Sequence, residues 1–204
     1  MRNYTRWASG LFAAAALFAG TVAGASGSTA ATTPASAARA AASASPTTPS
    51  VHLNLSPSSP QLAACMPKAK VNITVELKTD RVGFDDFLVN ASGLPANTAF
   101  TVFLLQQADA PFGAAEYIGD ITSDSRGNAR NTFKLIVQEA FSSNLLNGQR
   151  IRTDLNQVGM WFADPAGDDF CLGAGKGPVT PFDGDNEAGV QAFNSLHTTP
   201  LPAP

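Results

Sequence analysis

From Asp154 to the end of the chain there are seven acids, Asp154, Asp164, Asp168, Asp169, Asp183, Asp185 and Glu187, against one base, Lys176. Within this stretch Asp183-Gly184-Asp185-Asn186-Glu187 sets three carboxylates at alternate positions. Closely spaced hard oxygen donors around a glycine are what calcium uses, although the twelve-residue EF-hand spacing is absent. Asp164, Asp168, Asp169, Asp183, Asp185 and Glu187 are therefore a candidate calcium set, with a solvated acidic surface as the plainer reading. Carboxylates also serve glycosidases in pairs, and Asp85, Asp86, Asp120 and Asp164 add to the supply.

Other chemistry is poorly provided for. The two histidines, His52 and His197, lie outside the expected body from Cys65 to Phe193, and no Gly-x-Ser-x-Gly elbow occurs, so Ser-His hydrolysis is set aside and no catalytic residue is assigned. Cys65 and Cys171 are the only cysteines, and in an exported chain an even pair predicts a Cys65–Cys171 disulfide rather than a thiol nucleophile. Two aromatics are candidate binding residues. Trp161 neighbours Phe162 on an alternating strand, which turns one of them inward and the other outward, and Phe112 sits in a loop beside Pro111 and Gly113. Asn54-Leu55-Ser56, Asn72-Ile73-Thr74 and Asn90-Ala91-Ser92 match the glycosylation acceptor pattern, a number of matches close to chance in this composition. The thirteen Lys and Arg residues form no basic block and the net charge is −3, which argues against nucleic acid as a partner.

The organisation of the chain follows from composition. Arg2 and Arg6 precede an apolar run from Leu11 to Gly20, and Ala23-Gly24-Ala25 supplies a small-residue cleavage site, so residues 1–25 read as a secretory signal peptide. The run is too short for a transmembrane span, and the mature chain is expected to be secreted or wall-associated, with an extracellular protein, polymer or small ligand as partner. From Ser26 to Ser50 every residue is Ala, Ser, Thr or Pro except Gly27 and Arg39, and residues 26–64 are assigned to a disordered tether. Val51, Leu53 and Leu55 alternate but are interrupted by Pro57 and Pro60, so at most they add a short edge strand. The folded body is expected over residues 65–193, and residues 194–204 as a flexible tail.

Within the body, Val71, Ile73, Val75 and Leu77 alternate with Asn72, Thr74, Glu76 and Lys78, the clearest strand signal in the chain. Apolar segments at Phe84–Val89, Phe100–Leu104 and Val158–Phe162 continue the pattern, and Tyr117–Thr122 and Asn131–Val137 suggest a pair around Asp124 and Gly127. Val137, Phe141 and Leu145 are spaced by four and followed by Gly148, which predicts a short crossover helix. The count is six or seven strands without helix-length crossovers, an all-β antiparallel sandwich.

Gly93-Leu94-Pro95-Ala96-Asn97-Thr98, the following Phe100-Thr101-Val102, then Gly119-Asp120 and Asp124-Ser125-Arg126-Gly127 resemble the cadence of secreted actinobacterial Ig-like β-sandwich domains. The likeness covers residues 70–140 and implies an Ig-like fold with no catalytic residues. Copper-zinc superoxide dismutase sandwiches need several histidines in the body, which this chain lacks. The enediyne-carrying apoproteins are shorter and carry a second disulfide. The expected function is a non-catalytic binding or cell-envelope interaction module, with a carboxylate or metal-assisted hydrolase of extracellular polymer as the alternative.

Overall fold

A computed structural model describes residues 48–181 and 186–202. The assigned signal peptide, the tether up to residue 47, and Asp183 and Asp185 lie outside the described residues. Among the described residues no helix is long and apolar enough to cross a membrane.

The fold is all-β and antiparallel. Its strands are β1 (Ser50–Pro57), β2 (Lys70–Glu76), β3 (Asp85–Ser92), β4 (Ala99–Leu105), β5 (Ala115–Thr122), β6 (Ala129–Leu135), β7 (Phe141–Leu146), β8 (Gln149–Asp154), β9 (Gln157–Phe162) and β10 (Gln191–Asn194). Eight of them form a sheet ordered β5-β4-β9-β10-β1-β2-β3-β6, while β7 and β8 pair only with each other. Alternation decides which side chains go inward: Val71, Ile73 and Val75 on β2, and Phe87, Val89 and Ala91 on β3, are all buried. They share one core with Phe100, Val102 and Leu104 of β4, Val158, Met160 and Phe162 of β9, and Phe193 of β10. Residues from both halves of the sheet meet in this core, so the sheet folds back over itself.

β1 joins the halves. Ser50–Leu55 pairs with β2, and Ser56 and Pro57 then pair with Asn194 and Phe193 of β10. The expected tether thus stops short of residue 50: Leu53 and Leu55 are buried, and β1 is an interior strand rather than an edge. Pro57 is tolerated because it sits at the strand's end. A short helix α1 (Pro60–Cys65) follows, its first turn capped by the Ser59 hydroxyl accepting from the Leu62 amide, and a single turn α2 (Thr79–Val82) links β2 to β3. The expected flexible tail is also corrected over its described part, since Leu201 is buried and its amide donates to the Asn156 carbonyl at 2.8 Å.

Two further expectations change. Val137–Glu139 is a single 3₁₀ turn and Phe141 opens β7, so no crossover helix forms. The four-residue spacing of Val137, Phe141 and Leu145 is equally compatible with a strand, and Asn147-Gly148, with φ of 51° and 79°, makes the two-residue turn of a β-hairpin. The segments 117–122 and 131–137 do not pair with each other; β5 pairs with β4 and β6 with β3. Their connection instead clasps the Gly93 turn: Leu94 donates to the Gly127 carbonyl at 3.0 Å and Asn97 to the Asp124 carbonyl at 3.2 Å. A Cβ on Gly127 would overlap the Leu94 carbonyl oxygen, and one on Gly93 the Lys68 carbonyl, which is why these turns require glycine.

Candidate functional site

A cleft of about 690 Å³ lies at the foot of the β7–β8 ribbon. Its walls are Ala115 and Glu116 from the start of β5, Lys134 and Leu135 from the end of β6, Glu139 and Ala140 from the 3₁₀ turn, and Phe141 with Leu155 from the ribbon's two ends. A two-stranded ribbon is marginal by itself. This one is pinned at its base, where the Leu155 amide donates to the Ala140 carbonyl at 2.9 Å, and Arg152 stacks 4.1 Å from the Phe141 ring while pairing with Asp154 at 2.8 Å.

The charges of the cleft are unequal. Lys134 is committed to Asp86 at 3.2 Å and lies 4.0 Å from the Phe84 ring. Asp86 also pairs with Lys78 at 2.6 Å, and these two lysines hold its carboxyl below the usual carboxylate range; Lys78, hydrogen-bonded to Asp86 and Glu76, is held above its own. Glu116 and Glu139 make no ion pair with any described residue. The cleft therefore presents two uncompensated carboxylates beside an apolar floor of Leu135, Ile136, Ala140, Phe141 and Leu155.

The chain matches no protein-family model, and no curated protein matches it. The predicted disulfide is present, joining Cys65 of α1 to Cys171 of α3 (Asp169–Leu172) across 106 residues. Trp161 is buried on the opposite side of β9 from the main core, in a second cluster with Phe103, Leu105 and Ala188. Phe112 covers it edge-on at 5.0 Å, so the two predicted binding aromatics meet, but as a packed pair.

The predicted acids are only partly gathered. Asp164 and Glu187 line one cavity of about 230 Å³ with Ala163, Pro165 and Asn186. Asp164 already accepts from the Ala166 amide at 2.8 Å as a turn cap, and Asp169 from the Gly175 amide at 2.7 Å. Asp168 is fully buried; one oxygen accepts from the Val190 amide at 2.9 Å and the other has no partner among the described residues. Burial, with the Asp169 charge adding to it, pushes its carboxyl above the usual range. Among the described residues no three His, Cys, Asp or Glu side chains converge as a metal set.

The cleft residues Glu116, Lys134, Glu139 and Phe141 were not legible as a site. Their usable signal was Asn147-Gly148, a strong hairpin marker, whose ribbon turns Phe141 toward the ends of β5 and β6.

Proposed function

We propose that the chain is an exported, non-catalytic binding module of the Ig-like sandwich type whose ligand sits in the cleft at the foot of the β7–β8 ribbon. The observation that carries this reading is the pair of carboxylates, Glu116 and Glu139, with no ion-pair partner among the described residues, set beside an apolar floor in a concavity of ligand size. Such a surface suits a small molecule with an apolar body and an amine. The sandwich assignment is supported by strand order: β2-β3-β6 in one half and β5-β4-β9-β10 in the other follow the A-B-E and C′-C-F-G arrangement of Ig-like domains. Export is supported by the signal-peptide pattern of residues 1–25 and by the disulfide.

The alternative is a carboxylate hydrolase, which draws on the same two glutamates. A glycosidase pair flanks the scissile bond in a site that shields it from bulk water, whereas Glu116 and Glu139 are both exposed. Fluorescence titration with dansylcadaverine against neutral dansylamide tests the reading. The amine should bind at least about tenfold more tightly, the equivalent of one charge-assisted contact, and Glu116→Gln with Glu139→Gln should abolish the preference. Equal binding of the two probes refutes the site. Turnover of glycan or ester substrates lost in the same variant establishes the hydrolase instead.

A further inference from the structure

The three glycosylation-like triplets of the sequence fall on one line of the sheet. Asn54 on β1 is the register partner of Asn72 on β2, Asn72 of Asn90 on β3, and Asn90 of Arg130 on β6. The triplet pattern is a product of alternation: the middle residues Leu55, Ile73 and Ala91 are buried, and the asparagines before them are exposed on the outer face. With strands about 4.8 Å apart, the four side chains make a row roughly 14 Å long.

The rungs of this face differ in what they do. At one end Glu76, Asp86, Lys78 and Lys134 satisfy one another in ion pairs. On the next rung the rings and hydroxyls of His52 and Thr74 lie within hydrogen-bond distance at 3.1 Å. The side chains of Asn54, Asn72, Asn90 and Arg130 make no hydrogen bond or ion pair with described residues. Each amide brings two donors and an acceptor, and the guanidinium a fork of donors, all turned to solvent. A concavity of about 440 Å³ adjoins the row, lined by Asn72, Asn90, Ser92, Asp124, Asn128 and Arg130.

Charge gives the row a sign. Lys70, register partner of Ser92, stands on the same face of β2, two residues from Asn72, and Arg126 lies in the turn leading into β6. The one carboxylate at this end, Asp124, is engaged by the amides of Arg126 and Asn128 at 2.8 and 2.9 Å. Lys70, Arg126 and Arg130 therefore leave an excess of positive charge at one end of a face on a chain whose net charge is −3.

We propose that this face is a second binding surface, distinct from the cleft, for an anionic glycan: a polyhydroxylated chain carrying carboxylate or phosphate groups. The amides exchange hydrogen bonds with successive hydroxyls, Arg130 takes an anionic group through its donor fork, and half-buried Leu88 offers the one apolar spot on the strand next to the row. Single-stranded nucleic acid fits less well, because the row has no aromatic ring on which bases would stack.

The test is immobilised full-length chain titrated with polygalacturonate, with poly(glycerol phosphate), with neutral dextran and with single-stranded DNA. Binding to polygalacturonate assigns a carboxylate ligand and binding to poly(glycerol phosphate) a phosphate ligand; either supports the proposal when dextran and DNA bind at least tenfold more weakly. Asn72→Ala with Asn90→Ala, and separately Arg130→Gln, should each weaken polymer binding at least tenfold while leaving the thermal midpoint and the response to dansylcadaverine as in the unaltered chain. Those two readouts separate a failure of this surface from a failure of the cleft. No binding to either anionic polymer, equal binding of dextran or DNA, or polymer binding that survives these substitutions overturns the proposal.

Discussion

The Val137 amide donates to Oδ2 of Asp85 at 3.1 Å in a buried bond, one residue from Ile136 of the cleft. The other oxygen of the same carboxylate accepts from the Lys78 amide at 2.6 Å, the Thr79 amide at 3.0 Å and the Thr79 hydroxyl at 2.8 Å. One buried side chain, 1% exposed, thus ties the β2–β3 connection to the 3₁₀ turn that carries Glu139. Asp85→Ala strands these donors, and since each unsatisfied buried group costs about 1–3 kcal/mol, urea unfolding should show a loss of at least about 3 kcal/mol. Dansylcadaverine affinity should fall with it. A variant as stable as the parent would show that Asp85 does not anchor the turn.

The Gly93 and Gly127 turns hold each other, and this makes a sharp prediction about glycine. Gly127, at φ 77°, lies against the Leu94 carbonyl with no space for a methyl group. Gly127→Ala adds left-handed strain to a clash with backbone and should lower stability by more than the roughly 1 kcal/mol of an ordinary left-handed position. Gly148→Ala at the ribbon tip, φ 79° with nothing near its Cβ, isolates the strain alone and should cost less. Equal midpoints for the two variants in thermal scans would contradict the clasp.

Strand identity was largely legible in the residues, because β2, β3, β4 and β9 alternate or run apolar over whole elements. Pairing was not. β5 and β6 flank a good turn, yet Phe133 and Ile121 are drawn into contact with the core from opposite halves of the sheet, and local turn chemistry does not reveal that parting. β1 was undervalued because Pro57 and Pro60 punctuate it, although both fall where a strand ends and a helix begins. The amide row was visible in the sequence only as three scattered triplets; register, a non-local property, is what aligns them. Spacing shows that the acids of the candidate calcium set are close in sequence but not what else binds them, and the backbone amides of Ala166 and Gly175 claim Asp164 and Asp169.

The disulfide should matter more to stability than to the cleft. It fastens α1 to α3, and the Gln61 side-chain amide adds a bond to the Cys171 carbonyl at 3.2 Å. A cross-link closing a loop of 106 residues is worth roughly 2–5 kcal/mol in small exported domains, mainly by restricting the unfolded chain. Cys65→Ala with Cys171→Ala should lower the thermal midpoint while dansylcadaverine affinity at 25 °C stays near that of the parent, since none of the cleft residues belongs to α1 or α3. A collapse of amine binding in a folded variant would show that the two regions are coupled.

Asp168 gives the fold a pH dependence of unusual sign for a carboxylate. Its side chain is wedged between Gly177 and Gly189, where a Cβ on Gly177 would overlap Oδ1, and that oxygen has no hydrogen-bond partner among the described residues. Burial raises the folded carboxyl above its ordinary value of 3.8. Below that ordinary value both folded and unfolded chains hold the proton and no penalty exists. As pH rises through the interval up to the folded value, the unfolded chain ionises first, so the native state progressively loses stability, and the loss is complete once the buried group is charged. Asp168→Asn keeps an oxygen for the Val190 amide and removes the buried charge. The variant should therefore unfold at a higher midpoint than the parent at pH 7, with the gap closing as the pH is lowered toward 3.8. A gap that is constant with pH would trace the difference to packing, and a less stable variant at pH 7 would overturn the burial penalty assigned to this carboxylate.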